Sequence, residues 1–321
     1  MERKQEYWGS LAAWYLFLAA MGATGFVVIA TADLLGGGVI TELANGWISL
    51  AAVVSTGVGS LFLMVELTQK MKFYLIFARS KSIMTVGSLL LSSFLGLAFI
   101  YATFFFDVAP WAGLVLLRKG IAVLGIIAAL GLVAYPGLEL GEAKGRGFWN
   151  GGGLIALFLI SGAATGTAAV MLLIFAMGLG GGTYILYLKS LLVGFLVLQF
   201  LFIPGYVWGM KLAGAEEARR SVALIVSGLF REAFWGGVMF IGTIAPLATL
   251  FIFQGKFMIA IAGLLVLVGG FFFRIVFLQA AVRVTLPGEE RLEPSDQEIA
   301  ELGANLQKRW QEKALWLSPK N

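Results

Sequence analysis

The amino-acid sequence predicts an all-α membrane protein: a compact bundle of about eight transmembrane helices, followed by a short polar C-terminal tail. Composition is the first observation, since 60% of the 321 residues are hydrophobic and only 13% are charged, whereas a soluble domain carries about a quarter charged residues. The second observation is 42 Gly against 7 Pro, which is typical of helices packed closely through small residues. A mean hydropathy of +0.91 agrees with lipid as the main solvent.

Eight segments are long and apolar enough to be spans, which need about 20 residues each. They are residues 11–35, 47–68, 83–106, 114–140, 154–177, 184–210, 233–253 and 258–282. The first is interpreted as a retained helix, because it can cross the bilayer and lacks an obvious A-x-A cleavage site. Short connections with turn residues join the spans, as at 36–38, 107–110, 151–153 and 180–182. One compact bundle follows from this spacing.

The C-terminal region changes in composition from residue 286 onward, where charged residues replace the apolar runs. Apolar residues at helical spacing between residues 296 and 316 predict a short surface helix there. The sequence therefore predicts a transmembrane domain over 1–285 and a polar tail over 286–321. An even number of spans puts the two termini on the same side of the membrane.

Lys and Arg residues are distributed unevenly between the two faces. The face that carries the termini, called here the basic face, also holds Arg3, Lys4, Lys70, Lys72, Arg79, Lys81, Lys144, Arg146, Lys211, Arg219, Arg220 and Arg231. The far face holds only Arg118, Lys119, Lys189 and Lys256. By the positive-inside rule both termini are predicted to be cytoplasmic, in a multi-pass protein of the cell (inner) membrane. The net charge is thus explained by topology and does not predict a nucleic-acid partner, although the basic face could also dock an acidic subunit.

Cys and His are both absent from the chain. Disulfides, iron–sulfur ligation, Cys/His zinc sites, His-ligated haem and Ser-His or Cys nucleophilic catalysis all require one of these residues. We therefore expect no haem or metal bound by this chain. A redox cofactor that needs such ligands must belong to another subunit.

Four ionisable residues inside the predicted spans are candidates for function, because charge is costly in the hydrocarbon core. Asp33 and Glu66 lie near the ends of their spans, where a side chain that reaches the interface is an equal alternative. Glu139 lies near the cytoplasmic end of the fourth span, where a structural ion pair competes with a functional role. Arg274 lies deep in the last span and is expected to face the bundle, meeting a carboxylate or helix-end carbonyls. Glu66, Glu139 and Arg274 form a hypothetical proton path.

Several polar and aromatic residues fall at one depth near the basic face: Tyr7, Trp8, Ser10, Trp14, Glu66, Tyr135 and Glu139. Trp and Tyr at this depth are often only an interfacial belt. Together with buried carboxylates, however, they also suit a quinone head group, whose carbonyls need hydrogen-bond donors and whose hydroquinone form needs proton acceptors. These seven residues are the predicted quinone-binding site.

Five short motifs in the first half of the chain resemble one known family in order and spacing. They are Trp8-Gly9 with the run 15–25, Glu66-Leu67 with its basic loop and Phe73, the run 82–88, Tyr135-x-Gly137 with Phe148-Trp149-Asn150, and Ser161-Gly162 with Thr165-Gly166. This pattern, with eight helices, is similar to the NrfD/polysulfide-reductase-type membrane subunits that interact with quinone. The second half is similar mainly in hydropathy.

The resemblance implies a membrane anchor subunit of an oxidoreductase complex that binds quinone or quinol, either menaquinone or ubiquinone, and carries no haem. It further implies electron exchange with a four-cluster iron–sulfur subunit, which serves a catalytic, molybdopterin-type subunit. Tyr135 is the implied head-group donor, and the segment from Tyr7 to Trp14 the implied wall. Some family members use a His of the first helix as a quinone ligand, so Tyr7, Ser10 or Glu66 would replace it here. In several members the iron–sulfur partner lies on the outer face, whereas the charge distribution here places the quinone-proximal face in the cytoplasm.

Two other classes of function are weighed against the redox anchor. A proton or ion transporter is suggested by Glu66, Glu139 and Arg274, although the chain shows no convincing inverted repeats. A purely structural subunit would need none of these charges for activity. A retinal protein is disfavoured, because the last span offers no central Lys for a Schiff base.

Overall fold

Among the residues that the computed structural model of the protein describes, eight helices are long and apolar enough to span a membrane, and this confirms the predicted fold class. The structure describes residues 9–36, 42–66, 82–106, 109–143, 145–179, 183–253, 255–283, 301 and 303–307. No strand occurs within these ranges. The predicted division at residue 286 and the surface helix over 296–316 fall largely outside them and stay predictions; of this region, residues 303–307 are helical.

The first five spans are continuous α-helices, as their apolar runs predict. They are α1 (Ser10–Leu34), α2 (Glu42–Glu66), α3 (Ile83–Thr103), α4 (Val115–Gly141) and α5 (Leu154–Ala176). The sixth span is α6 (Thr183–Ala213), and a short amphipathic helix follows it, α7 (Glu216–Val226). The seventh span is π-helical over Ala233–Ile244 and continues as α8 (Ala245–Ile252), and the eighth is α9 (Lys256–Gln279).

Helix α1 lies at the centre of the bundle, where it contacts α2, α4, α5 and α9. Small residues make this possible because they let neighbouring backbones approach closely. At the crossing with α5, a Cβ atom on Gly166 would lie 2.5 Å from the backbone nitrogen of Gly25, so only glycine fits. The hydroxyl of Thr24 donates to the carbonyl oxygen of Gly162 at 2.7 Å across the same interface. Thr24 therefore satisfies its polar group inside the bundle.

Helix α9 ends under the connection between α4 and α5. The indole nitrogen of Trp149 donates to the carbonyl oxygen of Phe277 at 2.9 Å, and Arg146 Nη1 donates to the carbonyl oxygen of Ala281 at 2.7 Å. Carbonyls at a helix C-terminus have no partner within the helix, and a positive charge there also suits the helix dipole. The Phe-Trp-Asn motif thus has a structural role, in fixing α9 against the rest of the bundle.

The seventh span departs from the sequence prediction of a plain α-helix. Twelve residues, Ala233–Ile244, adopt the wider π-helix, which is rare and usually limited to a single turn. The hydroxyl of Thr243 donates to the carbonyl oxygen of Val238, five residues earlier, at 3.0 Å, and accepts a bond from Gln199 of α6 at 2.8 Å. These bonds satisfy buried polar groups within the apolar bundle.

Candidate functional site

Tyr135 and Glu139 form the centre of the candidate site, on the last two turns of α4 near the basic face. They are four residues apart and therefore lie on the same side of the helix, where their side chains interact. Tyr135 is buried, with 5% of its surface exposed, while Glu139 is half-buried. A hydroxyl and a carboxylate are thus held together inside the bundle.

Tyr15 of α1 completes this group. It is 5% exposed, and its phenol lies within electrostatic range of both Glu139 and Tyr135. Tyr15 belongs to the run 15–25 that carries the family resemblance, but it is not among the seven predicted site residues. Its position next to Trp14, and its own hydroxyl, are the signals that mark it as a candidate.

The ring of Tyr135 lies flat against the backbone of Gly87 in α3. A Cβ atom at Gly87 would lie 2.6 Å from Cε1 and 2.7 Å from Cε2 of this ring, closer than atoms can approach. Gly87 belongs to the motif at 82–88 that carries the family resemblance. Its role in the structure is to make room for the phenol, which fixes where the Tyr135 hydroxyl lies.

The predicted role of Trp14 in the quinone site requires it to lie beside Tyr135 and Glu139, but its side chain packs on other residues. Its ring is 39% exposed and packs on Phe271 of α9, with ring centroids 4.1 Å apart, and on Phe62 of α2 at 6.4 Å. Adjacent helical residues point about 100° apart, so Trp14 faces α2 and α9 while Tyr15 faces α4. Ser10 is exposed at the first residue of α1.

The side chains of three predicted site residues lie outside the part of the chain that the structure describes. Tyr7 and Trp8 lie outside the described residues, and Glu66 is described only as the last residue of α2. Their assignment to the site stays a prediction. Within the ranges that the structure covers, no group of three or more Asp, Glu, His or Cys side chains gathers as a metal site.

Arg274 is buried in the bundle, with 1% of its surface exposed. Nη1 donates to the hydroxyl of Ser161 on α5 at 3.0 Å, and the guanidinium carbon lies 4.9 Å from the ring centroids of Phe158 and Phe273. Nε and Nη2 have no hydrogen-bond partner among the residues that the structure describes. The residue faces the bundle as expected, but it meets a hydroxyl and two aromatic rings where a carboxylate or helix-end carbonyls were expected.

Asp33 lies in a second polar cluster, at the far face. Its carboxylate pairs with Arg118 of α4 at 2.9 Å and accepts a bond from the Tyr101 hydroxyl of α3 at 3.0 Å. Arg118 also lies over the ring of Phe105, 4.9 Å from its centroid. Asp33 is therefore part of a largely buried ion pair that joins three helices.

An apolar layer separates these two clusters within the group of helices α1, α3 and α4. Phe26 lies at its centre, packed edge to face on Phe94 and Tyr101 with centroids 5.6 and 5.2 Å away, and against Gly125. Leu132 and Val133 continue the packing toward Tyr135. Tyr135 and Glu139 thus lie on the basic-face side of this layer, and Asp33 and Arg118 lie on its far-face side.

Known proteins resemble this chain over most of its length. Residues 2–286 match the family described as polysulphide reductase, NrfD. The C chain of polysulfide reductase from Wolinella succinogenes is 26% identical over 251 residues, which cover 72% of this chain and 79% of that protein. The NrfD homolog of Haemophilus influenzae is 28% identical over 268 residues, or 75% of this chain and 82% of that protein.

Proposed function

Since the chain belongs to the polysulphide reductase NrfD family, we propose that it binds quinone or quinol at Tyr135 and Glu139 and exchanges electrons with an iron–sulfur subunit. The family supports a role as the membrane anchor of a redox complex. The Wolinella relative is named as one lettered chain of its reductase, which supports association with other reductase subunits. The group of Tyr15, Tyr135 and Glu139 near the basic face is the observation that carries the proposal.

The three side chains suit a head group that gains and loses protons. Oxidation of a quinol releases two electrons and two protons. Tyr135 Oη donates a hydrogen bond to one oxygen of the head group. The carboxylate of Glu139 accepts the two protons from the head-group hydroxyls one after the other, and it passes the first to water before it takes the second. Glu139 lies half-buried two residues from the end of α4, so the proton has a short way to water at that face.

Electrons must leave through a partner, because the chain has neither Cys nor His to hold a metal cluster. We place the four-cluster iron–sulfur subunit on the basic face, since the Tyr135 group lies about two helical turns below it. A catalytic subunit, of the molybdopterin type in our proposal, follows the iron–sulfur subunit in the electron path. The quinone is menaquinone or ubiquinone, whichever the membrane holds.

The charge distribution supports a cytoplasmic location for the basic face and both termini. Arg118, one of the few cations at the far face, is engaged by Asp33 within the bundle, which strengthens the contrast between the faces. A reporter fused to the C-terminus tests this placement. Activity of a reporter that folds only outside the cytoplasm would reverse the orientation and place the partner outside as well.

Arg274 favours a second candidate function, a proton or ion pathway that also includes Glu66 and Glu139. Two donor nitrogens that find no partner among the described residues of an apolar bundle are costly, and water molecules that satisfy them would hydrate this level of the membrane. The protein reconstituted alone in liposomes decides between the candidates. Proton flux without a redox partner would favour the pathway, whereas the redox anchor carries none on its own.

The direct test of the proposed function is quinol oxidation by the intact complex with Tyr135→Phe. Loss of one hydrogen bond of about 1 kcal/mol to the head-group oxygen lowers kcat/KM by about fivefold, without loss of the partner subunit. Tyr187→Phe is the matched control, because Tyr187 is 52% exposed on α6. Equal activity of the two variants, or a purified complex with neither iron–sulfur protein nor quinone affinity, would overturn the proposal.

A further inference from the structure

A cavity of about 270 Å³ lies between α1, α2, α5 and α9, apart from the Tyr135 group. Met21, Gly22 and Gly25 of α1 form its floor, and the other helices form its walls. The wall residues include Ala51 and Ser55 of α2, Ala169 and Leu173 of α5, and Leu267 of α9. The cavity, called here the apolar crevice, exists because α2 and α5 barely contact each other.

The described lining of the crevice has no polar group free to recognise a head group. Its one hydroxyl, on Ser55, donates to the carbonyl oxygen of Leu18 at 2.9 Å. Several lining side chains, including Ala51 and Ala169, are half-buried, so the crevice opens to the side of the bundle where lipid lies. Apolar cavities exclude water, and an empty one would lose its contacts. A hydrocarbon chain is therefore the ligand that fits.

The depth of the crevice shows which leaflet supplies that hydrocarbon. At 1.5 Å per residue, Met21 and Gly25 lie about 17 to 23 Å below the start of α1 at the basic face. Leu173 lies about 5 Å from the far end of α5. On the basic side, Trp14 closes the crevice, because it lies two turns above Met21 and packs on both Phe271 and Phe62. The hydrocarbon enters from the far leaflet.

Charge at the far face indicates the head group to which the hydrocarbon is attached. Lys256 begins α9 and is exposed. It precedes Leu267 by eleven residues, so the two lie on the same side of α9, about 17 Å apart along the axis. An ammonium at that height complements a phosphate, whereas the head group of a quinone is uncharged. We infer that the apolar crevice binds an acyl chain of a phospholipid of the far leaflet, whose phosphate pairs with Lys256.

Filling the crevice with protein side chains tests this inference in the purified, intact complex. Ala51→Leu and Ala169→Leu add bulk from opposite walls, and Val54→Leu is the control, because Val54 is 62% exposed outside the crevice. Native mass spectrometry after detergent washing should find a phospholipid on the wild type and on Val54→Leu, and little on the two filling variants. Delipidation should lower the Tm of the wild type and change the Tm of the filling variants much less.

Four outcomes would overturn the inference. Retained phospholipid that is unaffected by both filling variants would show that it binds elsewhere, and a wild type without any retained lipid would show that the crevice has no specific ligand. A quinone retained in its place and lost in the same variants would show that the crevice takes an isoprenoid tail. If neither filling variant assembles, Lys256→Gln decides: retention equal to that of the wild type contradicts the proposed phosphate contact.

Discussion

Replacing Gly87 by alanine tests whether the position of the Tyr135 hydroxyl matters for quinol oxidation. The added Cβ atom would lie 2.6 and 2.7 Å from Cε1 and Cε2 of Tyr135, whereas ordinary contacts lie at 3.4 to 4 Å. The ring must therefore move by about 1 Å, since the Cβ atom is fixed to the helix backbone. A displaced hydroxyl loses the same hydrogen bond that Tyr135→Phe removes, so kcat/KM should fall by about fivefold, as in Tyr135→Phe.

The effect on folding is expected to be small, which makes the variant informative. Alanine in a helix interior is favoured over glycine by about 1 kcal/mol, which offsets part of the roughly 1 to 3 kcal/mol that overpacking typically costs. The assay is quinol oxidation by the purified complex, with Tm measured alongside. Gly96→Ala on the same helix is the control, because a Cβ atom there meets no described atom within 4 Å.

Gly87→Ala should slow quinol oxidation only if quinol binds beside the Tyr135 hydroxyl. Wild-type kcat/KM in Gly87→Ala, with Tyr135→Phe also active, would refute the reasoning. A fall in rate with an equal fall in bound iron–sulfur subunit would point to assembly instead. Combining Gly87→Ala with Tyr135→Phe should add little further loss, because both changes remove the same hydrogen bond.

Three more substitutions follow from the structure. Glu139→Gln removes the proton acceptor and should slow quinol oxidation by about 100-fold or more in steady-state kinetics. Turnover close to that of the wild type would contradict the role of Glu139 as proton acceptor. Tyr15→Phe should lower kcat/KM less than Tyr135→Phe does, and the reverse order in the same assay would exchange their roles. Asp33→Asn should leave turnover unchanged but destabilise the bundle by about 3 kcal/mol, since it leaves Arg118 buried beside a neutral side chain. An unchanged Tm in a thermal melt would contradict a stabilising ion pair between Asp33 and Arg118.

The eight spans could be predicted because each one is a long apolar run, and lipid leaves few alternatives to a helix. Helix α7 and the π-helical segment were not predicted. The amphipathic pattern of α7 lies within a loop between spans, and the π-helix over Ala233–Ile244 depends on contacts with α6 and α9 that no local pattern reveals. Sequence periodicity reports a helix but not its width.

The depth of the site residues was predictable, whereas their grouping was not. Trp14 and Tyr15 share a level, but the helix turns them toward different neighbours, so the predicted wall residue packs on α9 and its unassigned neighbour meets Glu139. Asp33 and Arg118 are 85 residues apart in the sequence, and each alone resembled an interfacial charge. Which side chains meet depends on helix rotation and packing, which hydropathy leaves undetermined.

Photoaffinity labelling with an azidoquinone is the most direct measurement of the central claim, that quinone binds beside Tyr135 and Glu139. The label should appear on peptides that contain residues 10–19, 83–90 or 132–141, and excess unlabelled quinone should suppress it. Label confined to α6, to the seventh span or to another subunit would contradict the account.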